Sequence, residues 1–157
     1  MEVRNARPED AEAAAELLRR SIAELCIADH GNRREILAPW LGNKTPESVA
    51  GWIAAPSNSV LVAVEGEKLL AVGMVTDSGE IALNYVSPDA RFQGVSKALL
   101  AALEARALAR GNTEVTLIST VTARRFYLSA GYAEDPIAPE AAESQARPMS
   151  KRLRPAP

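Results

Sequence analysis

One cysteine and one histidine are all that this 157-residue chain contains of two side chains that commonly bind zinc. Cys26 has no partner for an intrachain disulfide, and a Cys/His metal cluster is excluded by number alone. A basic excess is missing too. With 18 Lys plus Arg against 20 Asp plus Glu the formal charge is −2, so the cationic surplus that dominates non-specific nucleic-acid binding is absent. Long apolar runs are also lacking: Val60 to Val64 is typical, whereas a helix crossing a bilayer needs roughly 20 such residues. The start, Met1-Glu2-Val3-Arg4-Asn5, enters charged and polar residues at once and has no apolar signal core. The expectation is a cytoplasmic chain with neither a membrane nor a nucleic-acid partner.

What is present fits one compact domain over 1–157, with 47% hydrophobic and 24% charged residues. Val3 to Ala6 reads as a short strand. Pro8 or Asp10 then starts a helix whose Ala14, Leu17, Leu18, Ile22 and Leu25 form one apolar stripe. The pattern breaks at His30-Gly31-Asn32. A second helical stretch covers Arg34 to Leu41, and Thr45-Pro46 caps a third that ends near Ala54. From Ser59 the period becomes extended. Val60 to Val64, Leu69 to Thr76 and Glu80 to Val86 read as three antiparallel strands joined by polar turns. Gly94 to Arg110 is strongly helical, Glu114 to Ile118 extended, and Thr122 to Ala130 a short helix closed by Gly131. One or two last strands fall between Gly131 and Leu153, interrupted by a Pro- and Ala-rich loop over 136–142. The layout is mixed α/β. The short basic cluster Lys151, Arg152 and Arg154 reads as a solvated end.

The segment from Tyr85 to Leu100 carries the chemistry, because it runs from a strand through a tight polar turn into a helix. A helix start has backbone N–H groups without internal partners and a partial positive charge, and so accepts a phosphate. Gly94 lets that backbone approach a ligand closely, and Arg91 can add a charge-assisted hydrogen bond. Strand-turn-helix units with Arg and Gly also occur without any ligand, so on composition alone both readings stand.

Two ordered motifs add a resemblance that favours the ligand over a plain strand-turn-helix unit or an anion-binding domain without coenzyme. Arg91-x-x-Gly94-x-Ser96, after a strand ending in Val86-Ser87-Pro88, resembles the pyrophosphate-binding motif Gln/Arg-x-x-Gly-x-Gly/Ala of the GCN5-related N-acetyltransferases. Ala123-Arg124-Arg125-Phe126-Tyr127-Leu128-Ser129-Ala130-Gly131-Tyr132 resembles the family's later helix, Ala-x-x-Phe-Tyr-x-x-x-Gly-Phe/Tyr. The resemblance runs from about Val3 to Leu153 and implies the family's fold, a mixed, mostly antiparallel sheet of about six or seven strands flanked by about four or five helices. Two positions depart from the pattern. Ser96 stands where the family has Gly or Ala, and keeps its N–H and small size; Thr120 stands where the family commonly has an Asn that helps to position coenzyme A.

The implied reaction is direct transfer of an acetyl group from acetyl-coenzyme A, a co-substrate used without a metal, to a primary amine of a small molecule, amino acid or peptide. The resemblance places the coenzyme against Arg91, Phe92, Gln93, Gly94, Val95, Ser96 and Lys97, with Thr120 and Phe126 beside it. A backbone N–H near Tyr85 and Val86 would meet the oxyanion. Tyr127 falls on the general-acid position, since a phenol with pKa near 10 keeps its proton at neutral pH. Without the motif it would read as a packed helix tyrosine. Glu80, eleven positions before Arg91, matches the glutamate base of histone-type members, and equally reads as an exposed residue at a strand start. Cys26, with no activating neighbour, reads as a small buried hydrophobe, and His30 as structural or solvated. The resemblance puts Glu24, Asp29, His30 and Trp40 where the family sets acceptor specificity; acidic residues there would attract a cation, and Glu24 and Asp29 equally read as ordinary surface charges. Dimers are common in the family. The competing reading is a catalytically silent domain that binds acyl-coenzyme A and regulates a partner.

Overall fold

The computed structural model describes residues 1–137, 139 and 146–154. Strand β1 (Glu2–Asn5) leads through a 3-10 turn at Pro8–Asp10 into helix α1 (Ala11–Leu25). Arg4 and the Arg7 backbone N–H both donate to the Asp10 carboxylate, at 2.8 and 2.7 Å, which fixes the entry into α1. Helices α2 (Ile27–His30), α3 (Arg34–Leu41) and α4 (Pro46–Ala54) follow. Thr45 caps α4 as its side chain predicts: its hydroxyl oxygen accepts from the Ser48 N–H at 3.1 Å. The meander is β2 (Asn58–Glu65), β3 (Lys68–Thr76) and β4 (Ile81–Val86), after which α5 (Val95–Ala109), β5 (Glu114–Ser119), α6 (Arg124–Ser129), β6 (Ala133–Glu134) and β7 (Arg147–Arg152) complete the chain. The 136–142 stretch expected as a loop lies partly outside the described residues.

Both faces of the first sheet are covered, which explains why β2 reads as an unbroken apolar run rather than an alternating one. Val60, Val62 and Val64 pack with Ala14, Leu17 and Leu18 of α1 and Val49 of α4. Leu61 and Ala63 face the other way, into the cluster holding Leu99, Leu100 and Leu103 of α5. Burying a leucine stabilises by about 1.5–3 kcal/mol, so three from one helix anchor α5 firmly. No described helix is long and apolar enough to cross a membrane.

The sheet is mixed and mostly antiparallel, as the resemblance implies, but it is divided. One part has the order β1-β2-β3-β4, the other β5-β7-β6, with antiparallel pairing throughout each. Among the described residues they meet at a single parallel bridge, between Glu80 and Thr116. There the Thr116 N–H donates to the Gly79 carbonyl at 3.0 Å. Gly79 is required at that junction, since its φ is +87° and a Cβ would sit 2.7 Å from the Glu114 carbonyl oxygen. Past this pin β4 and β5 separate. A register shift between Met74 and Val75 inserts Ala82 as an extra residue in β4, and such a bulge bends the strand that contains it.

Candidate functional site

The separation of β4 from β5 opens a cleft of about 360 Å³. Its walls come from the end of α1 (Ser21, Leu25) and Cys26 just after it, the end of β4 (Asn84, Tyr85, Val86), the start of α5, and the loop before α6 with Phe126 and Tyr127. The first helical bond of α5 runs from the Ala98 N–H to the Gly94 carbonyl at 3.1 Å. The N–H groups of Val95, Ser96 and Lys97 therefore have no partner within the helix, no side chain caps them, and all three residues line the cleft. Gly94 adopts φ +76°, and a Cβ there would meet nothing within 4 Å, so the missing side chain leaves open space at the helix start.

At the parting of the strands stands a buried phenol. Tyr127 is 6% exposed, in edge contact with Phe126 and Tyr132, and its hydroxyl oxygen accepts from the Asn84 side-chain amide at 3.0 Å. Because the oxygen is the acceptor in that bond, the hydroxyl proton is left for another partner. Burial pushes this phenol up to about 12, against a smaller opposing effect of the Asn84 hydrogen bond. Tyr85 is likewise pushed up to about 12 by burial, and its hydroxyl accepts from the Trp40 indole N–H at 3.3 Å.

Backbone alternation separates two residues that the sequence treats alike. The Ser87 N–H donates to the Leu70 carbonyl at 2.8 Å, so in the β3–β4 ladder Ser87 and Tyr85 turn their amides toward β3. Those of Val86 and Asn84 point out of the free edge.

Of the expected site residues, Tyr85, Val86, Arg91, Phe92, Gly94, Val95, Ser96, Lys97, Thr120, Phe126 and Tyr127 all line this cleft. Gln93 is exposed in the same loop and does not. Glu80 is also apart from them. It is exposed at the pinned end of β4, with Asn84 four residues further on, roughly 13 Å along a strand. The described residues that line the cleft include no carboxylate and no histidine.

Several residues near α1 behave differently from the expectation that they would attract a cation. The Asp29 carboxylate accepts from the Val121 N–H at 2.7 Å, the Thr122 N–H at 3.2 Å and the Thr122 hydroxyl at 2.6 Å, which straps α2 to the loop before α6. Glu24 is paired with Arg20 at 3.0 Å. His30 is buried, with Nε2–H donating to the Ile22 carbonyl at 2.8 Å and Nδ1 accepting from the Asn32 N–H at 2.9 Å, so it is structural. The Cys26 thiol is pushed up to about 12 by burial and stays protonated. Lys151 is not a solvated end either; it pairs with Glu104 at 3.0 Å, beside the Tyr132 hydroxyl that donates to the same carboxylate at 2.8 Å. Thr120 uses its hydroxyl oxygen to accept from the Ala123 N–H at 3.1 Å, which leaves its proton available to the cleft.

Sequence reasoning overlooked Asn84, Ser21, Thr122 and Ala123 as lining residues. Ala123 opens the later-helix motif and Asn84 is a polar residue inside an apolar strand, whereas Ser21 and Thr122 offered no signal.

The fold has counterparts among solved structures. A structure named as a GCN5-related N-acetyltransferase, class-II aminotransferase, from Rhodopseudomonas palustris superposes with a TM-score of 0.82 at 25% identity, covering 97% of this chain and 95% of that one. PaiA N-acetyltransferase from Thermoplasma acidophilum, in complex with coenzyme A, gives 0.81 at 18% identity over 97% and 98% of the two chains. An aminoglycoside 6'-N-acetyltransferase complexed with coenzyme A gives 0.72 at 15% identity over 100% and 99%. No curated protein sequence matches the chain. Residues 13–153 match the family model described as "Acetyltransferase (GNAT) domain". The chain belongs to the GNAT acetyltransferase family.

Proposed function

We propose that this chain is an N-acetyltransferase that passes the acetyl group of acetyl-coenzyme A to a primary amine of a small molecule, amino acid or peptide, in the cytoplasm. The observation that carries the reading is the position of Tyr127 and Asn84 in the same cleft that the free amides of α5 enter. The residues present suit the coenzyme: three unpartnered amides and Arg91 are matched to a diphosphate, and the absent Gly94 side chain leaves room for it.

The thioester supplies the activated acetyl group. The outward N–H of Val86 would stabilise oxyanion charge on its carbonyl. As the C–N bond forms and the C–S bond breaks, the proton leaving the nitrogen ends on the sulfur. Tyr127 assists by donating its free hydroxyl hydrogen toward the sulfur. With its phenol pushed up to about 12, complete transfer to a thiolate is uphill by several pKa units, so the phenol acts as a strong hydrogen-bond donor and the ammonium proton closes the balance. Lacking a base among the described lining, the amine sheds its proton to water or arrives neutral. Glu80 enters this scheme only through a long water path.

That lack of a base is also the one observation that favours a silent acyl-coenzyme-binding domain. A thiol-release assay with acetyl-coenzyme A and a panel of amines separates the two. Turnover with any amine supports the enzyme, whereas tight coenzyme binding without turnover supports the silent domain.

A further inference from the structure

Phe92 is the most exposed large hydrophobic residue among those described, at 91%, and it occupies a left-handed backbone conformation with φ +62°. Each feature is unfavourable for phenylalanine. The left-handed region crowds Cβ against the backbone and is usually given to Gly or Asn. Full exposure forgoes the burial that would offset this strain. One contact does form on the ring: the Arg91 guanidinium lies 4.6 Å from its centroid, and the rest of the ring is open to solvent. Both residues stand at the rim of the cleft, immediately before the amides of Val95 to Lys97.

We propose that Phe92 is a stacking platform for the purine base of the coenzyme, so that Arg91, the Phe92 ring and the adenine form a stack at the cleft mouth. The inference rests on the function proposed above. A diphosphate held by the α5 amides leaves the adenine one ribose away, at the mouth of the cleft, where the described lining includes the exposed Phe92 ring. An aromatic ring is suited to this task because every base has a π-face that it can cover. Arg91 then serves twice, as the diphosphate's cation and as the support behind the ring.

The test compares two ligands by calorimetry on the full chain: coenzyme A, and 4'-phosphopantetheine, which keeps the arm and one phosphate but has no adenosine. Phe92→Asn, a residue that tolerates the left-handed conformation, should weaken coenzyme A by roughly 5- to 100-fold and leave 4'-phosphopantetheine unchanged. Its melting temperature should stay level or rise, since strain is relieved. Phe92→Tyr should keep the parent affinity. Equal affinity of Phe92→Asn and the parent for coenzyme A, or an equal loss for both ligands, would overturn the stacking assignment and leave the proposed function intact. A parent chain that binds neither ligand would remove that function and the platform with it.

Discussion

The side-chain amide of Asn84, on β4, donates to the hydroxyl oxygen of Tyr127, on α6, across the gap where the two parts of the sheet separate. This bond holds the phenol with its own hydrogen directed away from Asn84. Replacing Asn84 by Ala should therefore lower kcat by about fivefold while the KM for acetyl-coenzyme A changes little, as a lost hydrogen bond of about 1 kcal/mol would produce. Steady-state kinetics over a range of coenzyme concentrations tests this; a rise in KM at constant kcat would place Asn84 in binding instead.

The buried phenols make a prediction at alkaline pH. Tyr85 and Tyr127 are raised to about 12 in the fold, while in the unfolded chain they ionise near 10. The folded state keeps protons that the unfolded state has lost, so this stability is complete below pH 10 and disappears as pH rises through 12. For Tyr127 alone it amounts to about 2–3 kcal/mol. Urea midpoints measured from pH 9 to pH 11.5 should fall for the parent, and fall less for Tyr127→Phe.

The helix start can be weakened in two separable ways. Arg91→Ala should reduce coenzyme A affinity by about 1–3 kcal/mol through loss of a charge-assisted contact. Gly94→Ala meets no steric obstacle, yet its φ of +76° imposes about 1–2 kcal/mol of strain. Thermal melting should thus report the second substitution, and calorimetric titration both.

Most of the fold was legible because its elements obey local rules. Thr45-Pro46 marked the start of α4, the Glu65-to-Lys68 turn marked the hairpin, and the leucines of α5 marked its buried face. The two motifs likewise led to the cleft. What stayed hidden depends on pairing between distant strands. The Ala82 bulge, the single bridge at Glu80 and the choice of Val86 over Tyr85 as the outward amide are consequences of register, which no single strand records. Helix α2 was read as a break at His30, since four residues give too few turns for a periodic signal. Nothing in the sequence marks Asp29 as a strap, because its partners, Val121 and Thr122, lie more than ninety residues away.

The Asp29 strap is testable by hydrogen exchange. Asp29→Ala removes the acceptor of the Val121 and Thr122 amides, and hydrogen bonds to a charged group are worth about 1.5–3 kcal/mol, less where exposed. Both amides should exchange roughly tenfold faster, with the α5 amides unaffected. Equal protection in parent and variant would mean that the strap does not hold the loop.

The account stands on Tyr127 assisting departure of the thiolate. The direct measurement is single-turnover release of coenzyme A thiol from saturated complexes of the parent and Tyr127→Phe with an accepted amine. The prediction is that Tyr127→Phe releases thiol about a hundredfold more slowly than the parent, with coenzyme affinity preserved. Equal rates for the two proteins would contradict it.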